Sequence, residues 1–236
     1  MHSYGQYCPV AKAAEVLGDR WTLLIVRDLI CLRARHFNDL VRGLPGISRS
    51  LLAQRLQQLE RMRVIERHVG GKGRATEYRL TEAGEKLQDV VEALLEWGAE
   101  WAFGEPDQAD LDPVLLLWWI RRGTRLDRLP RQRVVVQFDF YGARTGSYWL
   151  LLEPSDVSVC LQRPGFDIDL VVTADIGAFY QVWLGRMSFA ESLRHRSVQL
   201  DGLPALERAF PTWFSWSPAA EAVRTAAARL SSREMI

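Results

Sequence analysis

Apolar side chains between Phe37 and Leu80 recur first at helical spacing and then in two short extended runs. A short amphipathic helix is predicted by four positions at i, i+3, i+4 and i+7: Phe37, Leu40, Val41 and Leu44. Pro45 and Gly46 end this helix, because proline lacks a backbone donor and glycine readily leaves helical geometry. Ser48 suits the N-cap of a second helix. The apolar stripe of that second helix consists of Leu52, Leu56 and Leu59.

The opposite face of the second helix is polar. Its side chains, counted from the cap, are Ser48, Arg49, Ser50, Gln54, Gln57 and Arg61. Donors of this length, on a helix whose other face is packed, are typical of a recognition helix in the major groove of DNA. We therefore expect Ser50, Gln54 and Gln57 to contact bases. Arg49, at the exposed start of the helix, is expected to hold a phosphate.

Two predicted strands follow, Val64 to Val69 and Thr76 to Leu80. The tip between them, Gly70-Gly71-Lys72-Gly73-Arg74, has two cations and no anion, and Lys72 and Arg74 are expected to hold phosphates. Two helices joined by a tight turn and followed by a basic hairpin predict a winged helix-turn-helix that binds DNA. The alternative is a helical hairpin beside a solvated loop.

Helices are predicted on both sides of this stretch. One runs from Cys8 to Gly18, with apolar positions Val10, Ala13, Ala14 and Leu17. Asp19 is expected to cap the next helix, whose inward side chains are Trp21, Leu24, Ile25 and Leu29. A long helix is predicted from Thr81 to about Phe103, lined by Leu87, Val90, Val91, Leu94 and Trp101. This apolar side is expected to pack against a twin subunit or against the protein's own second domain.

The pattern changes after the breakers at 104–113. An apolar helix is predicted at Val114 to Ile120, and strands at Val134 to Phe140, Tyr148 to Leu152, Val157 to Leu161 and Asp167 to Val172. Later elements are a helix from Thr173 to Leu184, a helix opened by a Ser188–Glu191 capping box, a strand at Val198 to Leu200 and a segment from Pro204 to Phe214. The fold class is therefore α+β. The predicted domains are 1–104, with a dimerisation helix at its end, then 112–216, and a helical tail at 217–236.

Composition supports two globular domains in the 236 residues, with 48% hydrophobic and 25% charged side chains. The net charge of +1 conceals an asymmetry: eleven Lys and Arg face four Asp and Glu between Arg33 and Arg79, a balance of +7 that leaves −6 elsewhere. Cations concentrated around the recognition helix and wing favour DNA as the partner. Three scattered cysteines and the lack of a signal peptide or a membrane-length apolar run predict a cytoplasmic protein without a membrane partner.

The spacing of the residues predicts neither a catalytic site nor a metal-binding site. The four histidines lack ligand neighbours at metal spacing, and the glycine-rich tip lacks the Ser or Thr of a phosphate loop. No nucleophile elbow or defensible pair of catalytic carboxylates is present, since Asp167 and Asp169 are expected on the solvent-facing edge of a strand. We expect no catalytic residue, no metal site, no cofactor and no enzyme activity.

Several short motifs appear in an order that resembles the HxlR-type winged-helix transcriptional regulators. They are Cys8-Pro9-Val10, Gly18-Asp19-Arg20-Trp21-Thr22, Phe37-Asn38-Asp39-Leu40, Pro45-Gly46-Ile47-Ser48, Leu56-Gln57-Gln58-Leu59-Glu60 and Tyr78-Arg79-Leu80-Thr81. The resemblance covers about the first hundred residues and implies a dimeric DNA-binding regulator that responds to a small molecule or to oxidants. Met62-Arg63 departs from the acidic residue and glycine of many members.

Cys8 is a redox candidate on two grounds. It precedes Pro9 at the start of a helix, where unpaired amides favour a thiolate. The family resemblance implies an oxidant-sensing cysteine at this place. The alternative is a small buried apolar residue.

The second domain resembles sterol carrier protein type 2 in the order of its elements. The motifs are Phe138-Asp139-Phe140, Val182-Trp183-Leu184-Gly185-Arg186 and Leu200-Asp201-Gly202. The resemblance implies an apolar cavity between sheet and helices. The expected pocket residues are Phe138, Trp149, Phe179, Trp183, Phe189 and Phe210. The alternative is ordinary aromatic packing plus a dimer surface.

These patterns predict a homodimeric regulator of the HxlR type, a repressor of transcription that responds to an apolar small molecule or to oxidants. Two other functions stay open. In the first, the protein is a lipid carrier with an accessory winged-helix interaction module. In the second, the winged helix binds protein, which its basic face argues against.

Overall fold

The computed structural model describes residues 3–70 and 75–234, with side chains as far as residue 230. The chain divides into two compact units, one up to Leu94 and one from Leu95 onward. None of the helices in the described ranges is long and apolar enough to cross a lipid bilayer. Both units combine helices with a β-sheet, so the predicted α+β class is confirmed.

The first unit is a winged helix-turn-helix. Its elements are α1 (Pro9–Leu17), α2 (Thr22–Cys31), α3 (Phe37–Gly43), α4 (Arg49–Arg61), β1 (Ile65–His68), β2 (Glu77–Leu80) and α5 (Glu82–Glu85); α6 (Gln88–Trp101) continues into the second unit. Strands β1 and β2 are antiparallel, with Ile65 opposite Leu80. The predicted stripe of α4, Leu52, Leu56 and Leu59, is buried in one core with Ile25, Val26 and Leu40.

Helix α1 lies where it was predicted, although it contributes no buried residue and Val10 is 76% exposed. The expectations for the next helix were wrong in three respects. Helix α2 begins at Thr22, because Trp21 has a left-handed backbone (φ 79°), and Leu24 is exposed rather than inward-facing. Asp19 does not cap α2, since its carboxylate accepts hydrogen bonds from Arg55 and Gln58 of α4.

The long helix predicted from Thr81 is interrupted at Lys86 and Leu87, between α5 and α6. The α5 turn is held against the residues that precede β1, because the Thr81 hydroxyl donates to the Arg63 carbonyl (2.6 Å) and accepts from the Gly84 amide (3.2 Å). The Leu87 amide then bonds the Gly84 carbonyl, three residues back, which tightens the turn and ends the helix. Local periodicity carries no information about the hydrogen bond between Thr81 and Arg63, which are 18 positions apart.

Gly84→Ala is expected to destabilise the first unit by about 1–3 kcal/mol, although alanine is the better helix former. A methyl group at this position would lie 2.1 Å from the Val64 carbonyl oxygen, so the α5 turn would have to move away from β1. Denaturant unfolding should give this loss, while the control Lys86→Ala, at an exposed position, stays within about 0.5 kcal/mol of the parent. Equal stability of the two variants would contradict the packing of α5.

The second unit is a five-stranded sheet covered by helices. Its elements are α7 (Pro113–Arg122), β3 (Val134–Tyr141), β4 (Gly146–Glu153), β5 (Asp156–Cys160), β6 (Leu170–Asp175), α8 (Ile176–Trp183), α9 (Phe189–Arg194), β7 (Val198–Gly202), α10 (Pro204–Ala209) and α11 (Ala220–Glu234). The strand order is β5-β4-β3-β6-β7, and only β3 and β6 are parallel neighbours. The helical side of the sheet is aromatic, with Phe138, Phe179, Phe210 and Trp213 fully buried.

Two boundaries in the second unit differ from the prediction. The strand expected from Asp167 begins at Leu170 and continues to Asp175. Asp169 is not a free edge position, because its carboxylate accepts from the Val135 amide (2.8 Å) just before β6. Helix α8 begins at Ile176 rather than Thr173, since Asp175 is its N-cap and accepts from the Ala178 amide. The Ser188–Glu191 capping box of α9 is confirmed.

Candidate nucleic-acid interface

Helix α4 exposes the polar face that its sequence predicts. At its start the Ser48 hydroxyl accepts from the Leu51 amide (3.2 Å) and lies 3.1 Å from the Ser50 hydroxyl. The inner stripe anchors the helix to the core of the first unit. Glu60 is exposed on this helix, and so are the six predicted side chains: Ser48, Arg49, Ser50, Gln54, Gln57 and Arg61. A rigid helix therefore presents these donors together on one surface.

Arg49 is held in place by the helix that precedes it. Its Nη2 donates to the Asn38 side-chain oxygen (3.0 Å), and its guanidinium lies 4.9 Å from the centre of the Phe37 ring. Both partners lie in the first turn of α3. Because the guanidinium keeps further donors, it can bind an anion at the junction of α3 and α4 while staying oriented.

Gln54 and Gln57 are the long amide side chains of the exposed face. Within the described residues, neither side-chain amide makes a hydrogen bond, while the Gln57 carbonyl accepts from Arg61 Nε (3.4 Å). An amide carries both donors and an acceptor, the combination that matches the N6 and N7 atoms of adenine. These groups are therefore available to a base edge.

Residues that sequence reasoning missed fix the half-buried side of α4. Asp19 Oδ2 accepts from Arg55 Nη1 (2.7 Å) and from Gln58 Nε2 (3.0 Å), and Arg55 also donates to Gln58 (2.9 Å). This network joins the α1–α2 turn to the middle of α4. The residues are separated by 36 and 39 positions, so no local spacing could have indicated the contact.

The wing consists of β1 and β2 with their connection. Lys72 and Arg74, the predicted phosphate contacts, lie outside the described residues. On the strands, His68 lies 2.6 Å from Glu66, and the charge of Arg79 is partly compensated by Glu77 at 2.8 Å. Arg67 is exposed on β1 and adds a cation to those predicted from the sequence.

Cys8 is the N-cap of α1 and is half-buried, with no side-chain cap hydrogen bond. Its carbonyl accepts from the Lys12 amide (3.0 Å), which is the first bond of the helix. Cys31 lies in another environment, where burial raises the pKa of its thiol. Cys8 thus lies at the predicted start of the helix. The surroundings of Cys31 disfavour its thiolate form.

The six predicted pocket residues do not all meet. Phe138 contacts Phe179 and Phe210, with ring centroids 5.9 and 6.1 Å apart, and Phe189 lies 5.7 Å from Phe210. Trp183 stacks on Trp119 (4.8 Å) at the side of this cluster. Trp149 lies on the opposite face of the sheet, where its Nε1 donates to Gln137 (3.0 Å). Phe189 also borders a cavity of about 510 Å³.

The first unit thus belongs to the class of winged helix-turn-helix folds. Comparison with known families agrees, because the HxlR-like helix-turn-helix family matches residues 16–105. The regulator YodB of Bacillus subtilis, named as an HTH-type transcriptional regulator, is 35% identical over 101 residues, covering 42% of this chain and 88% of YodB. An HTH-type regulator of Synechocystis is 32% identical over 108 residues, covering 45% and 79%. The chain belongs to the HxlR-like helix-turn-helix family.

The family assignment concerns the first part of the chain. An HTH-type transcriptional regulator of Mycobacterium tuberculosis is 40% identical over 93 residues, which are 39% of this chain. The match spans 58% of the length of that relative. These relatives carry the names of transcriptional regulators and not of enzymes.

Proposed function

We propose that this protein is a homodimeric transcriptional repressor that binds double-stranded DNA and responds to an apolar small molecule or to an oxidant. The observation that carries the proposal is helix α4, whose buried stripe faces the core while Arg49, Gln54 and Gln57 are exposed together. The local charge balance of +7 between Arg33 and Arg79 supports an anionic partner. Membership of a helix-turn-helix family supports DNA as that partner.

In this proposal α4 enters the major groove. Ser50, Gln54 and Gln57 contact base edges, since they are the exposed hydrogen-bonding side chains without a fixed charge. Four cations, Arg49, Arg61, Lys72 and Arg74, contact phosphates and set the orientation of the helix. The Asp19–Arg55–Gln58 network keeps α4 at a fixed angle to the rest of the unit.

Selection from random duplexes tests the proposal directly. A homodimer that places two copies of α4 in successive major grooves should enrich two inverted half-sites whose centres are about 10–10.5 base pairs apart, or a multiple of that spacing. The proposal would be contradicted if no sequence were enriched at a protein concentration at which other DNA-binding proteins enrich their own sites.

An apolar stripe on α6 supports the homodimer. The α6 stripe consists of four residues on one side of the helix: Val90, Leu94, Trp97 and Trp101. Their side chains are 40%, 46%, 61% and 60% exposed, in that order. Large apolar side chains grouped in this way mark an interaction surface more often than a solvated one. A second copy of the same helix is a self-complementary occupant, because two-fold symmetry brings the same surface from both subunits together.

Leu94→Glu is expected to weaken the homodimer more than about tenfold, because burying a leucine contributes about 1.5–3 kcal/mol and 1.4 kcal/mol corresponds to tenfold. Sedimentation equilibrium should give a monomer at concentrations where the parent is a dimer. The control is Glu96→Lys, which makes a larger change of charge at an exposed position of α6 away from the stripe. Dimers of equal affinity in the parent and both variants would place the interface elsewhere.

Cys8 is the proposed oxidant-responsive residue, because it is half-buried at the start of α1 and is not engaged as a side-chain cap. We expect diamide to release the parent protein from its preferred duplex and to leave Cys8→Ser bound. Cys31→Ser is the control and should respond as the parent does, since burial disfavours the Cys31 thiolate. Equal release of parent and Cys8→Ser would remove Cys8 from the response.

The second unit is proposed to be the effector-binding domain, similar to sterol carrier protein type 2. Its aromatic cluster and the cavity beside Phe189 support this role. The same cavity supports a second candidate function, a lipid carrier with an accessory winged-helix module. A carrier would move a fluorescent lipid between vesicles with or without DNA, whereas a regulator would change its affinity for DNA on binding the molecule.

A further inference from the structure

A cavity of about 510 Å³ lies in the second unit between helix α11 and the segment that joins α8 to α9. Its volume falls within the range of about 300–1,000 Å³ that small-molecule sites occupy. This open cavity is the one that supports the proposed effector-binding role, and the ligand class inferred here rests on that role. It is bordered by α11 and the α8–α9 segment, and not by the sheet and helices as expected of the predicted pocket. Its chemistry depends on an aromatic wall and on the side chains that α11 contributes.

The aromatic wall is formed by Phe189 and Trp216. Their ring centroids are 5.9 Å apart with an angle of 28° between the planes. Phe189 also packs on the fully buried Phe210, and Trp216 packs on Phe179 with centroids 6.4 Å apart. The wall is therefore a continuation of the rigid core, and it offers an apolar surface to a ligand.

Helix α11 presents one cation between small side chains. Ala220, Arg224 and Ala227 border the cavity at i, i+4 and i+7, so they share a face of the helix. The two alanines leave space beside the arginine. Arg224 Nη1 reaches the α8–α9 turn, where it lies 2.8 Å from the position that a Cβ on Gly185 would take. Gly185 has φ +76°, and the missing side chain leaves room for the guanidinium.

The charged side chains around the cavity differ in what they already bind. Arg186 donates to Glu105 (2.9 Å) and to the carbonyl groups of Phe103 and Gly104 (3.1 Å each). Glu191 accepts from the amide (3.0 Å) and hydroxyl (2.8 Å) of Ser188, and these bonds lower its pKa. The Arg224 guanidinium makes no hydrogen bond or ion pair with any residue in the described part of the chain. Arg186 therefore uses three of its five donors, whereas all the side-chain donors of Arg224 are unused within the described residues.

We propose that this cavity binds an amphipathic organic anion, with its carboxylate on Arg224 and its apolar body against Phe189 and Trp216. A guanidinium offers paired donors that match the two oxygens of a carboxylate. An organic cation would meet both Arg224 and Arg186, and a neutral apolar molecule would leave the donors of Arg224 unused. The shared chemistry is an apolar body with one acidic group, and the body is an aromatic ring system or an acyl chain.

Isothermal titration calorimetry on the full-length protein tests this site. The probes are decanoate and 2-naphthoate, below their aggregation limits, and the neutral counterparts are decan-1-ol and 2-naphthamide. Arg224→Gln should weaken binding of the favoured anion about tenfold or more and leave binding of its neutral counterpart unchanged. The matched control is Arg229→Gln, which removes the same charge from α11 at a residue that pairs with Glu100 and does not border the cavity.

Ala227→Trp provides a second variant, because its larger side chain should fill the cavity and weaken binding of the anion and of its neutral counterpart alike. If decanoate binds more tightly than 2-naphthoate, the ligand has an acyl chain. If 2-naphthoate binds more tightly, the ligand is an aromatic acid. Any of three results would overturn the proposal: no binding of either anion, equal effects of Arg224→Gln and Arg229→Gln, or unchanged binding by Ala227→Trp. The proposal concerns binding alone, so it stands or falls independently of DNA recognition by the first unit.

Discussion

Gln54→Ala is expected to weaken binding to the preferred duplex by about 1–3 kcal/mol and to relax the base preference at one position of each half-site. Gln54 is exposed near the middle of α4, and its side-chain amide has no partner among the described residues. Its bonds to a base edge would depend on the identity of that base. The loss should therefore fall on the preferred sequence and much less on an unrelated duplex, as measured by fluorescence anisotropy with both duplexes.

Gln58→Ala is the matched control for this substitution. It removes the same side chain from the same helix, but Gln58 is half-buried and donates to Asp19 (3.0 Å). Because Gln58 helps to hold α4 in place, Gln58→Ala should lower stability and weaken the preferred and unrelated duplexes alike, without relaxing the base preference at one position. If Gln54→Ala together with Arg74→Ala binds the preferred duplex as well as the parent does, the assignment of the DNA-binding surface is wrong.

Phe138→Ala is expected to lower the unfolding free energy of the second unit by about 3–5 kcal/mol. Phe138 is fully buried on β3 and contacts the rings of Phe140, Phe179 and Phe210, so its removal leaves a cavity that these rigid neighbours cannot fill. Denaturant unfolding followed by tryptophan fluorescence gives the measurement.

The control for Phe138 is Phe166→Ala. Phe166 is 43% exposed, and its described ring contact is with the guanidinium of Arg133. This substitution should cost no more than about 1 kcal/mol. A second unit that tolerates both substitutions equally would mean that the aromatic cluster is loosely packed around free space. That result would favour a ligand cavity between sheet and helices.

The helices of the DNA-binding surface could be predicted because their signals are local. The spacing of Leu52, Leu56 and Leu59 defines the buried face of α4, and the Ser48 cap defines its start. The exposed polar residues then follow from helical geometry alone. The same reasoning predicted the capping box at Ser188 and Glu191, whose two halves lie within one helical turn.

The errors have a common physical cause in long-range contacts. The predicted long helix is divided after α5, where Gly84 packs against the Val64 carbonyl, a contact between residues 20 positions apart in the sequence. The Asp19 carboxylate accepts a hydrogen bond from Arg55 instead of capping helix α2. Patterns within a window of a few residues carry no information about such partners.

The aromatic residues of the second unit show how strand pairing limits prediction. Trp149 was grouped with Phe138, but the β3–β4 register places Trp149 opposite Gln137. Paired residues point to the same face of a sheet, so Trp149 and Phe138 lie on opposite faces. The sequence identified the aromatic residues, and only the register assigned each ring to a face.

A salt titration of duplex affinity tests the central claim, DNA binding through α4 and the wing, most directly. The logarithm of the association constant should fall linearly with the logarithm of the salt concentration, with a slope of about −0.9 for each phosphate contacted. Lys72→Ala should reduce the magnitude of the slope by about one unit and weaken all sequences alike. A slope near zero for the parent, or the same slope for parent and Lys72→Ala with no preference for any sequence, would contradict the account.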